Sequence, residues 1–328
     1  MTLPVGAYRL EGISPRAYQH PADRAATAAL RSVPYLDQVV RKLIELGYER
    51  ALRAVSLGSS VRLGQEQLPH IWVLHRQVVN SLDLADVPDL YLTQFPFANA
   101  MTIGAGRPIV VLNSELVTLL DADGQRAVLA HEAAHIHSDH VLYQTALVIL
   151  LRIGTQNLPL LAGLPLMGIR YALLEWFRAA ELSCDRAAAL LTRDPQAVCR
   201  TLMVLSAGAA AEHLNLDAFI KQGLDYEETG TGLERLSRLF QDLQITHPLP
   251  VRRVRELLSW VRGGEYDRIV GGQHMRRGQE PPLREESDSA AAHYAERVRG
   301  AFEKAGTSIG EVGDQLSDWL EKRRKDTR

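Results

Sequence analysis

His131-Glu132-Ala133-Ala134-His135 forms the pattern HExxH inside a segment, residues 125–137, that favours helix throughout. Alanine and aliphatic residues surround the two histidines, which predicts a buried helix. On that helix His131 and His135 are one turn apart on the same face, so both imidazoles can reach one metal ion. Glu132 is rotated off this line by one residue, where it can accept a proton from an attacking water.

Zinc is the metal that this pattern favours, because two neutral imidazoles and a carboxylate suit a borderline ion that keeps an open position for water. The alternative is that both histidines are core residues of an alanine-rich helix. A pattern with three fixed positions occurs by chance in roughly one chain in a hundred of ordinary composition. The downstream sequence therefore decides between the two interpretations.

A second helical segment, residues 178–189, carries carboxylates that could complete such a site. Glu181 and Asp185 are four residues apart and share a face, so a carboxylate ligand could be backed by a second carboxylate one turn on. The alternative is an exposed acidic pair neutralised by neighbouring arginines, and the apolar residues around the pair argue against full exposure. Cys184 is expected to be a small core residue.

The composition is that of a globular protein of 328 residues with 37 basic and 39 acidic side chains. With a formal net charge of -2, the protein has no overall positive field that would attract nucleic acid or an anionic membrane. Two cysteines exclude a disulfide framework and fit a reducing compartment, and the N-terminus lacks the apolar core of a secretory signal. We therefore expect a cytoplasmic protein.

The most apolar part of the chain is residues 141–177, directly after the HExxH pattern. Arg152 and Arg170 interrupt it, and the longest uncharged run, residues 153–169, contains two prolines and three glycines. A spanning helix needs about 20 consecutive apolar residues. The sequence favours two buried helices with a Pro/Gly-rich connection, and membrane association through this segment is the alternative.

Periodicity and turn signals predict a mainly helical α+β fold with a small β-sheet next to the HExxH helix. Short β-rich runs are expected at residues 89–94, 99–103 and 108–112, with a glycine turn at 104–106. Ser114 is expected to cap a short helix that ends at residue 120, and residues 121–124 to form a turn. Further helices are predicted at residues 22–31, 35–55, 69–82, 196–223, 233–243 and 251–261.

Three regions follow from these elements. Residues 1–67 form an N-terminal helical region, residues 68–262 the domain that contains the HExxH pattern, and residues 263–328 a linker with C-terminal amphipathic helices. The last of these helices has one apolar stripe, formed by Ile309, Val312, Leu316, Trp319 and Leu320.

Four features in this order resemble the gluzincin zinc metalloprotease family that includes HtpX and the CAAX prenyl proteases. They are Asn99-Ala100 before a strand and a glycine turn, the HEAAH pattern, the RxxExxxD helix from Arg178 to Asp185, and Thr246-His247-Pro248 with Arg253 six residues after the histidine. The resemblance covers roughly residues 68–262 and implies a zincin-like metalloprotease domain.

The resemblance implies a role for each matching residue. The zinc ligands would be His131, His135 and Glu181, with Glu132 as the general base. Asp185 would orient a ligand imidazole, and His247 would donate a hydrogen bond to the oxyanion of the tetrahedral intermediate. The strand that begins near Asn99 and Ala100 would pair with an extended substrate backbone, and Arg253 is expected to be structural.

The sequence departs from the family pattern at two small residues, Ala134 and Cys184, and neither change removes a ligand. His137 and His140 are out of register with the ligand face, so both are expected on the helix flank or at its end. The hydrophobic helices that membrane members carry before the motif have no counterpart in residues 1–67.

The predicted function is that of a zinc-dependent metalloendopeptidase, with one zinc ion per chain and a peptide or protein substrate. Two alternatives remain open at this point. One is a catalytically silent protease fold that binds or regulates a partner. The other is a membrane-embedded protease with residues 141–177 in lipid.

Overall fold

In the computed structural model, residues 8–44, 49–153, 166–225, 249–280, 296, 300 and 309–326 are described. The fold is a predominantly helical α+β arrangement with one small mixed sheet, as the sequence predicts. The helices are α1 (Pro21–Arg31), α2 (Leu36–Leu43), α3 (Glu49–Ser59), α4 (Pro69–Ser81), α5 (Ser114–Leu119), α6 (Ala122–His137), α7 (Val141–Ile153), α8 (Leu166–Thr192), α9 (Pro195–Ala207), α10 (Leu216–Asp225), α11 (Pro250–Arg262), α12 (Glu265–Val270) and α13 (Ile309–Asp326).

The sheet has four strands: β1 (Ser60–Arg62), β2 (Asp89–Thr93), β3 (Ala100–Ile103) and β4 (Ile109–Asn113). Their order is β1-β2-β4-β3, with β2 parallel to β4 and both other pairs antiparallel. The predicted hairpin is confirmed between β3 and β4, and Gly104 begins its turn with a φ of 103°, which a side chain would strain. β3 lies at the edge of the described sheet and contacts α6.

The start of α6 differs from the prediction of a turn at residues 121–124. Asp121 is the N-cap residue, and its side chain accepts a hydrogen bond from the backbone N–H of Gly124 at 2.8 Å. The first helical turn therefore begins at Ala122, since a capping carboxylate satisfies one of the free N–H groups at a helix start. The predicted Ser114 cap is also wrong, because Asn113 is the N-cap residue of α5 and makes no capping side-chain bond.

The long helix α8 belongs to two hydrophobic cores. Its C-terminal half packs with α4, α6, α9 and the sheet around residues such as Leu190 and Leu112. Its N-terminal half packs with α1, α2, α7 and α13 around Trp176 and Leu147. The second core includes Val312, Leu316 and Trp319, which are three residues of the predicted C-terminal stripe.

Several predicted elements fall partly or wholly outside the described residues. The helix predicted at 35–55 corresponds to α2 and α3, between which residues 45–48 are not described. The connection at 154–165, the helix at 233–243 and His247 also lie outside the described part. Strand β1 departs from the prediction, which places no strand before residue 89, since Ser60–Arg62 pair antiparallel with β2.

In the described part of the chain, no helix is long and apolar enough to cross a membrane. Both helices of the apolar segment, α7 and α8, bury side chains in the protein's own cores. Tyr143, Leu147 and Leu150 of α7 are each at most 3% exposed. Both cysteines are buried and free.

Candidate metal centre

Helix α6 presents His131 and His135 one turn apart on the same face, with ring centroids 5.1 Å apart. The Nε2 atoms of both imidazoles point to one oxygen of Glu181. The distances to Glu181 Oε1 are 3.3 Å from His131 and 3.1 Å from His135. The three side chains predicted as ligands therefore converge on one point, which is what a shared cation requires.

Helix α8 supplies both carboxylates because it packs against α6, with Glu181 and Asp185 on the face toward the histidines. Asp185 Oδ1 lies 3.2 Å from His131 Nδ1, the ring nitrogen that faces away from Glu181. A carboxylate in that position fixes the tautomer of a ligand imidazole. Glu181 and Asp185 are 1% and 2% exposed, so the exposed-pair interpretation is wrong.

Arg253 of α11 balances this buried negative charge. Its guanidinium donates to both oxygens of Asp185, at 2.7 and 2.6 Å, and Nη1 lies 3.1 Å from Glu181 Oε2. Burial alone would raise the pKa of Asp185, but Arg253 and His131 outweigh burial and hold that pKa below its usual value. Arg253 thus positions both site carboxylates, a more specific task than the general structural role that the sequence suggests.

Glu132 lies beside the ligand group and is held by a residue that sequence reasoning missed. It is 5% exposed, and the hydroxyl of Thr102 on β3 donates to Glu132 Oε2 at 2.7 Å. The same hydroxyl lies 3.3 Å from the backbone oxygen of Glu132. The edge strand β3 therefore fixes the orientation of the Glu132 carboxylate.

The two ligand histidines have opposite pKa shifts. Burial lowers the pKa of His135 to about 4, so this imidazole is neutral at pH 7. Burial also acts to lower the pKa of His131, but the carboxylates of Glu181 and Asp185 outweigh it and raise that pKa to about 10. The two carboxylates thus favour a positive charge at His131, which a proton or a bound cation can supply.

The other two histidines of the segment differ in their relation to the site. His137 faces away, as predicted, and its Nδ1 lies 2.7 Å from the hydroxyl of Tyr18. His140 does follow the helix end, but it is not separate from the site, because its Nδ1 lies 3.2 Å from His135 Nδ1. Its Nε2 lies 3.1 Å from Oδ2 of Asp23 on α1.

Cys184 competes with Glu181 for the place of third ligand. A ligand atom from each of His131, His135 and Cys184 lies within 4.8 Å of the other two. Burial raises the pKa of Cys184 well above its usual value, so the thiol is neutral. Its Sγ lies 3.8 Å from His140 Nδ1, whereas Glu181 faces both Nε2 atoms, and we therefore favour Glu181.

A cleft opens beside His131, Glu132 and Glu181. Asn99 and Ala100, at the start of the edge strand β3, line this cleft. Its other walls are mainly apolar and come from α5, α6, α8 and α9: Leu116, Ala127, Val128, Ala188, Val198, Thr201, Leu202 and Leu205. The cleft thus combines mainly apolar walls with the polar groups of the candidate metal centre, a composition typical of ligand sites.

Comparison with known proteins agrees with this geometry. The model of Peptidase family M48 matches residues 72–261, and the chain belongs to that family. The Plastoglobule-localized metallopeptidase 48, chloroplastic, of Arabidopsis thaliana is 35% identical over 260 residues, which cover 77% of this chain and 74% of the relative.

A shorter match joins the chain to a Protease HtpX homolog of Helicobacter pylori (strain Shi470), 36% identical over 72 residues. It covers 20% of this chain and 23% of the relative. No solved structure matches. The family identifies a metal-dependent peptidase, and the predicted resemblance is confirmed.

We expect Thr102→Val to destabilise the protein by about 1–3 kcal/mol, because it removes a buried donor from the carboxylate of Glu132. Thr102→Ser keeps the hydroxyl and should restore most of that loss. Urea unfolding of both variants would measure the difference. Equal free energies of unfolding for the valine and serine variants would contradict a hydrogen-bonding role of Thr102.

Proposed function

We propose that this protein is a zinc-dependent metalloendopeptidase that binds one zinc ion per chain. His131, His135 and Glu181 would hold the ion. The observation that carries the proposal is the convergence of both Nε2 atoms on Glu181 Oε1, with Glu132 beside them. Two imidazoles and one carboxylate are the ligand set of many catalytic zinc sites, and they leave a position for water.

The residues around the ligands suit peptide hydrolysis. When bound, zinc lowers the pKa of a coordinated water and polarises the carbonyl of the scissile peptide. Glu132 would accept a proton from the attacking water and deliver it to the leaving amine. The hydrogen bond from Thr102 holds the Glu132 carboxylate in place for both transfers.

A peptide or protein is the proposed substrate. β3 is an edge strand of the described sheet, so its outer side can add an extended peptide by backbone hydrogen bonds. Asn99 and Ala100 stand where this strand meets the cleft. We further propose that His247 donates to the oxyanion, a role taken from the family pattern alone.

We propose a cytoplasmic location, on the grounds of two free cysteines and a near-neutral charge. The Arabidopsis relative is named as plastoglobule-localized and chloroplastic, not cytoplasmic, and membrane association is the competing proposal. The burial of Tyr143, Leu147 and Leu150 in the second core weighs against insertion of α7 in lipid. Fractionation of cells into cytosol and membranes would separate the two proposals.

Glu132→Gln should leave zinc bound and lower the turnover of an unfolded casein-type substrate by at least about 100-fold, because the amide cannot take the proton. The control is Glu212→Gln, which changes a carboxylate that is 75% exposed. Zinc content and cleavage rate are measured on the same samples. Turnover at the wild-type rate would remove Glu132 as the base, and cleavage absent from the wild type would favour a silent binding protein.

Zinc affinity should rise with pH. With a pKa of about 10, His131 is protonated in the metal-free centre at pH 7, whereas His135, with a pKa of about 4, is already neutral. The ion must displace the proton of His131, so between about pH 5 and pH 7 the affinity should increase by about tenfold per pH unit. Calorimetry in buffers of different ionisation enthalpy should detect about one released proton. A pH-independent affinity would contradict this charge balance.

A further inference from the structure

The end of helix α6 turns His140 back onto the metal centre. Asp139 has a φ of 58°, in the left-handed region, and ends the helix after Ser138. The backbone N–H of His140 then donates to the carbonyl of His135 at 2.9 Å. The ring of His140 consequently lies against the ring of His135, with centroids 5.3 Å apart.

The nitrogen positions define a directed chain of hydrogen bonds. For His135 to present an Nε2 lone pair to a metal ion, its proton must be on Nδ1. That Nδ1–H can donate to His140 Nδ1, 3.2 Å away, and His140 must then carry its own proton on Nε2. The Nε2–H of His140 in turn donates to Asp23 Oδ2 at 3.1 Å.

The surroundings of Asp23 suit its carboxylate as the acceptor of this hydrogen bond. It is fully buried, at 0% exposure, on the first turn of α1. Its Oδ2 accepts from the hydroxyl of Ser183 at 2.7 Å, and its Oδ1 from the hydroxyl of Thr27 at 3.2 Å. These donors fix the orientation of the carboxylate and satisfy a charge that would be costly to bury alone.

Aromatic packing holds the two imidazoles in this arrangement. Phe177 stacks on His135 with centroids 5.8 Å apart and an interplanar angle of 10°. The ring of Trp176 meets His140 edge to face at 5.6 Å. Residues of α8 therefore constrain the planes of both imidazole rings, which favours a single arrangement of these hydrogen bonds.

We propose that Asp23, acting through His140, is a positioning residue for the metal ligand His135; this inference rests on the proposed zinc site. Each ligand imidazole then has a carboxylate behind it. His131 faces Asp185 directly, and His135 faces Asp23 through a second imidazole. Asp23 lies outside residues 72–261, so an element beyond the matched family region completes the support of the metal centre.

The test compares zinc affinity in the full chain, stripped by a chelator and titrated with zinc against a fluorescent competitor. Asp23→Asn and His140→Asn should each weaken zinc binding by roughly 10- to 100-fold, as is usual when the hydrogen-bond partner of a metal ligand is lost. The control is His75→Asn. His75 is equally buried, at 1% exposure, but its ring nitrogen contacts the Pro88 carbonyl oxygen, at 2.9 Å, and not a residue of the metal centre.

The zinc-dependent rise in Tm serves as a second readout. It should shrink in the Asp23 and His140 variants and stay at the wild-type size in His75→Asn, whose metal-free Tm alone should fall. Wild-type zinc affinity in folded Asp23→Asn and His140→Asn would overturn the inference while leaving the zinc site intact. A wild-type protein that binds no zinc would instead overturn the proposed function, and this inference with it.

A measurement on the wild-type protein covers the case in which a variant does not fold. Nitrogen NMR of the zinc-loaded protein with labelled histidine reports the tautomer of each ring. The proposal requires a proton on Nδ1 of His135 and on Nε2 of His140. A proton on Nδ1 of His140 would break the chain to Asp23 and overturn the proposal.

Discussion

The burial of the Glu181 and Asp185 carboxylates is the constraint on which the rest of the centre depends. Two negative charges one turn apart on the buried face of a helix are costly unless cations neutralise them. Arg253 supplies one positive charge, and the proton on His131 supplies another in the metal-free centre. A divalent ion between His131, His135 and Glu181 would replace that proton. The packing that buries the two carboxylates therefore also favours the binding of a metal ion.

The fold orients the residues of the centre by bringing several helices and one strand together around them. α6 and α8 face each other with their functional residues on the touching sides, while β3 lies against α6 and holds Glu132 through Thr102. α11 adds Arg253, which binds Asp185, and α1 adds Asp23, which binds His140. Each of the ligand side chains is thus oriented by a second element, which limits its freedom before substrate arrives.

The sequence predicted the parts of the site that local spacing encodes. The two histidines of HExxH, and likewise Glu181 and Asp185, are four residues apart in helical segments. Helical periodicity alone therefore predicts that each pair shares one helix face. Thr102, Arg253 and Asp23 are 30, 68 and 117 positions from the residues Glu132, Asp185 and His140 that they bind, and no periodicity reports such contacts. The contact between His140 and His135 is missed for a related reason, since the left-handed turn at Asp139 redirects the backbone after the helix ends.

The decisive measurement is the zinc content of the purified wild-type protein beside Glu181→Ala and Cys184→Ala, each also assayed with and without a chelator on an unfolded casein-type substrate. We expect about one zinc per wild-type and Cys184→Ala chain, with chelator-sensitive cleavage, and loss of both in Glu181→Ala. Zinc retained in Glu181→Ala but lost from Cys184→Ala would contradict the ligand assignment. Absence of zinc from the wild-type chain would contradict the metal centre itself.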